Sequence, residues 1–153
     1  MLLKLLKLLA NITENIGGNE MKLFHLSYHK GLNKLTPRIP ECLIKGSEDS
    51  TIKRICCSNN ISNCLKSINP FRGDILYVYE ISDEFPKVVE PIQVVEYVPD
   101  AEYTKEYWIL NEVKINFVGI IEIIEGGFYS HTMKNKFGNS FDVIDKVKWR
   151  WKK

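Results

Sequence analysis

Val98-Pro-Asp-Ala-Glu-Tyr-Thr-Lys-Glu-Tyr-Trp-Ile-Leu110 is the stretch from which the rest of the chain can be ordered. Pro99 and Asp100 are turn formers, and an acidic, polar bend follows them. Tyr107, Trp108 and Ile109 favour a strand, because aromatic and β-branched side chains pack well on a pleated surface. Glu106 therefore stands at the mouth of a strand. From there a carboxylate can project into a cleft as readily as into water.

Upstream of this turn, Ile92-Gln-Val-Val-Glu-Tyr-Val98 and Ile75-Leu-Tyr-Val-Tyr-Glu-Ile81 read as strands. Before them, Ile61, Cys64, Leu65 and Ile68 recur at helical spacing, with Ser58 or Asn59 as the cap and Pro70 as the stop. Arg72-Gly-Asp74 turns the chain. Ile52-Lys-Arg-Ile-Cys-Cys-Ser58 predicts a strand, and Gly46 to Ser50 a polar turn. Lys22-Leu-Phe-His-Leu-Ser-Tyr28 predicts a first strand, with Leu23, His25 and Ser27 sharing one face. The two prolines of Leu35-Thr-Pro-Arg-Ile-Pro40 force an extended loop. Downstream, Asn116 to Ile124 is a strand broken at Gly126-Gly127, and Asp142 to Lys153 reads as strand or short helix. One central helix among six or so strands predicts an α+β domain with antiparallel or mixed sheets.

The chain's 153 residues suit one domain, and 44% hydrophobic with 26% charged residues is ordinary for a globular protein. A net charge of +2 points to no particular partner. Cys42, Cys56, Cys57 and Cys64 lack a C-x-x-C spacing, so buried, reduced thiols in a cytoplasmic setting are expected rather than a disulfide framework or a zinc site. Residues 1–20 read as a leader: an amphipathic Met1-Leu-Leu-Lys-Leu-Leu-Lys-Leu-Leu-Ala10, then a Gly-Gly linker, with the domain proper at 21–153. The leucine run is too short to span a bilayer, which takes about 20 apolar residues. An extension or packing helix is the preferred reading over a surface anchor, and the leader is expected to be dispensable.

Phosphate-cradling and dinucleotide glycine motifs are absent, as are H-E-x-x-H and G-x-S-x-G. What the chain does carry is His25 on the first strand, Ser58 at the end of the second and Glu106 opening a later one. In "LFHLSY", "RICCSNNISNCL" and "YTKEYW" these residues resemble the ADP-ribosyltransferase-like superfamily, over roughly Lys22 to Ile124. Its members place a His or Arg on the first strand, a Ser, Thr or Tyr on the second, and commonly a Glu later. Position 104 is Thr, so the Glu-x-Glu pair of arginine-modifying relatives is missing. Tyr28, Tyr77, Tyr79 and Tyr103 are available for the tyrosine positions of the family.

The resemblance implies a split mixed or antiparallel sheet with one main helix, NAD as substrate, and transfer of ADP-ribose to an acceptor the sequence does not name. Cleaving a nicotinamide–ribose bond develops oxocarbenium charge, which a carboxylate such as Glu106 can stabilise. A neutral His25 can hold a ribose hydroxyl, and Ser58 can orient it. Ser27 lines the same face, and Arg38 is a candidate diphosphate clamp. Two other classes compete. One is a non-catalytic module that captures a nucleotide derivative in the same fold. The other is an RNA-binding protein using Lys146, Lys148, Trp149, Arg150, Trp151, Lys152 and Lys153, against which inward packing of the tryptophans is preferred.

Overall fold

The computed structural model describes residues 2–10, 13–14, 21–41, 48–84, 86–145 and 147–153. In chain order these form α1 (Leu2–Ala10), β1 (Thr13–Glu14), β2 (Phe24–Ser27), β3 (Lys34–Leu35), β4 (Ile55–Cys57) and α2 (Ile61–Ile68). There follow β5 (Ile75–Ile81), β6 (Lys87–Val89), α3 (Pro91–Val94), α4 (Ala101–Thr104) and β7 (Tyr107–Ile109). The chain closes with β8 (Val113–Glu125), β9 (Phe128–Lys134), β10 (Ser140–Asp145) and β11 (Lys148–Lys152). The domain is mixed α+β, with few helices and mostly antiparallel sheets.

Two sheets carry the fold. One runs β1-β6-β7-β4; the other runs β11-β8-β5-β2, with β3 added along β8. Between them lies a core to which both contribute: Leu23, Tyr79, Val113 and Ile115 from the larger sheet, and Ile55, Cys57, Val88 and Ile109 from the smaller. The sheets touch at a backbone bridge, where Phe24 and Ser58 exchange N–H···O bonds of 2.8 and 3.0 Å. α2 covers the far face of the larger sheet, burying Cys64 and Leu65 against Leu26, Leu76, Val78, Ile121 and Ile123. A fully buried leucine such as Leu65 contributes about 1.5–3 kcal/mol. The far face of the smaller sheet is covered by α1, α3 and α4 through Leu8, Val94, Val98 and Ala101, packed on Val89 and Trp108.

Several expectations need correction. Ile92 to Val98 is helix and turn rather than strand. Pro91 opens α3 at a position where its missing N–H costs nothing. Val94 of α3, Val95 and Val98 of the turn after it and Ala101 of α4 then bury together against Leu8 and Trp108, overriding the β-branched bias. The polar bend before Glu106 is itself a short helix, α4, closed by Lys105 in the left-handed region at φ 54°. The cap of α2 is Asn60, whose side chain accepts from the Asn63 N–H at 2.8 Å, not Ser58 or Asn59. The C-terminal stretch is strand, in two pieces.

The leader is built into the domain. Leu8 is 1% exposed within the core, and the Lys4 ammonium donates to Asp49 at 2.9 Å. Thr13 and Glu14 extend the smaller sheet beside β6. The Gly-Gly linker and the first two residues of the 46–50 turn lie outside the described residues, as do Cys42 and Lys146. Cys56, Cys57 and Cys64 are free thiols.

Candidate functional site

His25 lies on β2 opposite Tyr79, and Ser27 opposite Tyr77. Alternation along the strand puts both on the face of Leu23, toward the space between the sheets. The His25 ring crosses to the smaller sheet, with Nδ1 2.7 Å from the Cys56 carbonyl oxygen. A carbonyl only accepts, so Nδ1 carries the hydrogen. Burial lowers the His25 pKa, and the Arg38 charge adds to this against the pull of the Cys56 carbonyl. The neutral ring therefore presents Nε2 as an acceptor. Ser27 Oγ accepts from the His29 N–H at 3.0 Å and keeps its own hydrogen to donate.

Arg38 is pinned through its backbone to Arg54 by reciprocal bonds of 3.1 and 3.0 Å. Its guanidinium stays exposed, 3.7 Å from Glu41. Pro37 before it and Pro40 two residues on favour the extended main chain that makes this bridge, and the side chain stays exposed.

Ser58 behaves differently from expectation. It is buried, and its hydroxyl lies 3.1 and 2.7 Å from the carbonyls of Thr104 and Lys105. That contact holds the turn ahead of Glu106 and leaves no hydroxyl hydrogen for a ligand.

Glu106 is buried, but on the other face of the smaller sheet. Its Oε1 accepts from Trp108 Nε1 at 2.8 Å, and the Cys56 thiol lies beside it. Trp108 and Cys56 face each other across β7 and β4 in the outer core, whereas Cys57 and Ile109 face the inter-sheet core. His25 and Glu106 are thus separated by the sheet's own backbone. The convergence of His25, Ser58 and Glu106 on one ribose does not occur in this arrangement, because one-residue alternation sends Glu106 to the side of Trp108.

Around Glu106 stands a second polar group. The Arg54 guanidinium stacks on Trp108 at 4.4 Å from the ring centroid, and its Nη1 donates to the carbonyls of Asp49 and Ile52. Burial raises the Glu106 pKa against the opposing effects of Trp108, Cys56 and Arg54. Burial, then the Glu106 charge, pushes Asp100 to about 6. Among the described residues no group of three or more His, Cys, Asp or Glu side chains could hold a metal ion.

Sequence reasoning missed Phe117. It lies opposite Tyr79 on β8, continuing the lateral row His25–Tyr79–Phe117 across three strands. A bulge at Val118 breaks the ladder there, and bulges re-aim side chains. Tyr79 is fully buried and meets Phe117 edge to face at 6.0 Å, but Phe117 is 56% exposed. Tyr79 itself donates to the His29 carbonyl at 2.7 Å. Tyr28 is bonded to Asp74, and Tyr103 lies against Phe141. In the C-terminal strand, Trp149 packs against the α2 side of the sheet, while Lys148 and Arg150 pair with Glu125 and Glu122. Compared with known proteins, the chain matches no family model, no curated protein and no solved structure.

Proposed function

We propose that the chain is a nucleotide-derivative-binding domain of the ADP-ribosyltransferase-like kind, taking an NAD-class ligand on the His25 face of its larger sheet. The observation that carries this reading is the 2.7 Å contact of His25 Nδ1 with the Cys56 carbonyl. It fixes the tautomer and leaves Nε2 of the neutral ring as an acceptor. That acceptor suits a ribose hydroxyl, Ser27 can donate to a second oxygen, and exposed Arg38 suits a diphosphate. Phe117 adds a flat apolar surface for a heterocycle. The division of strands supports the resemblance as well: β2, β5 and β8 in one sheet, β4, β7 and β6 in the other.

Binding is favoured over turnover. Glu106, the only candidate for stabilising an oxocarbenium ion in the original constellation, is committed to Trp108 on the far face. The test is calorimetric titration of NAD and ADP-ribose, run beside an assay for released nicotinamide. Saturable binding of NAD without nicotinamide release is the expected result. Release of nicotinamide that disappears in Glu106→Gln would restore the enzyme reading, and no binding of either compound would remove both.

A further inference from the structure

Helix α1 docks by its edge and leaves its leucines outside. At about 100° per residue, Leu8 and Lys4 fall within about 40° of each other, and these two hold the body of the domain through the outer core and Asp49. Leu5, Leu9, Leu6 and Leu3 spread over about 160° of the remaining circumference. All four are exposed, Leu3 to 72% and Leu6 to 53%. An amphipathic helix ordinarily buries its apolar face; here, among the leucines whose side chains are described, the domain takes Leu8 and presents the other four.

We infer that this arc docks on the surface of an anionic lipid bilayer. A second copy of the chain fits poorly. Nine residues make a helix about 13 Å long and 10–12 Å wide, a face on the order of 200–300 Å², against the ~800 Å² per partner of a stable interface. A bilayer sets no such minimum, because it accepts a small apolar wedge lying in the interfacial plane. The charge agrees: the helix carries Lys4 and Lys7 and no acidic residue. Lys4 shares its charge with Asp49 and Lys7 is engaged as well, so the leucines provide most of the attachment and anionic headgroups only strengthen it. No helix among the described residues is long and apolar enough to cross a membrane, which fits a helix lying on the surface. This inference stands apart from the ligand site, since α1 covers the far face of the other sheet.

The experiment is cosedimentation of the full chain with phosphatidylcholine vesicles, with and without about one-third phosphatidylglycerol. The parent is expected to sediment with both, several-fold more strongly with the anionic vesicles. Leu3→Glu with Leu6→Glu should weaken partitioning at least tenfold, as expected for keeping two leucines out of the acyl region. Both positions are exposed, so the thermal midpoint should stay that of the parent. If the double variant unfolds, Leu3→Glu alone, at the most exposed leucine, carries the test with about a tenfold loss. A parent that ignores both kinds of vesicle, or a folded variant that binds as the parent does, overturns the inference. So does a parent that dimerises through α1 and becomes monomeric in Leu6→Glu.

Discussion

At the scale of single residues, His25 and Glu106 show how the same kind of buried polar side chain can serve different ends. His25 is held by a backbone acceptor and keeps its second nitrogen as an acceptor, so on the proposed reading His25→Ala should lower NAD affinity by about tenfold, the scale of one hydrogen bond. Because the acceptor is the neutral ring, affinity should be flat near pH 7 and fall only below 6.5, the ordinary histidine value from which His25 is lowered. Titration calorimetry across pH reads both effects. Glu106 is a partner of Trp108, and its loss is a matter of stability. Glu106→Ala leaves the indole N–H unpaired in a cavity and should cost about 2–3 kcal/mol in urea unfolding. Glu106→Gln retains an acceptor and should cost under about 1 kcal/mol, with ligand affinity unchanged.

At the scale of elements, much of the β framework was legible because strand alternation and turn chemistry agree locally. Ile75–Ile81 is the strand its β-branched and aromatic residues announce. The α2 pattern of Ile61, Cys64, Leu65 and Ile68 likewise gives the helix, though the capping residue lies at Asn60. Asn60→Ala should therefore lower stability by about 1 kcal/mol, and Ser58→Ala should act through the 104–105 turn rather than through the helix. What local pattern could not supply was long-range context. Val94, Val95 and Val98 read as strand until Leu8 and Trp108 are known to pack on them. The leucine-rich start read as dispensable for the same reason, since nothing near it in sequence reveals Asp49 or the core pocket of Leu8. Leu8→Ala should cost about 2–4 kcal/mol, measured by denaturant unfolding, and deletion of residues 1–10 at least as much.

At the scale of the whole molecule, two carboxylates on the outer side of the smaller sheet give stability opposite pH dependences. Burial works against ionised Asp49, but the Lys4 ammonium and the donors of Thr51 and Ile52 outweigh it and hold the group at about 2. Its stabilising effect is complete above the ordinary 3.8 and is lost as pH falls toward 2. Asp100 is raised from 3.8 to about 6, so its ionisation opposes the fold and stability declines as pH rises through that window. Asp100→Asn should gain about 2 kcal/mol at pH 7 and nothing at pH 4, read from paired urea titrations. The candidate site was only half legible at this scale. Residue types and the family resemblance nominated His25, Ser27 and Arg38, but one-residue alternation decides that Glu106 faces away, and the bulge beside Phe117 leaves no mark in composition. The most direct measurement is titration of NAD into the parent, His25→Ala and Glu106→Gln, with released nicotinamide followed in the same samples. The expected result is binding by the parent, about tenfold weaker binding by His25→Ala, parental binding by Glu106→Gln, and no nicotinamide from any of them. Equal affinity in the parent and His25→Ala, or nicotinamide release that depends on Glu106, would contradict it.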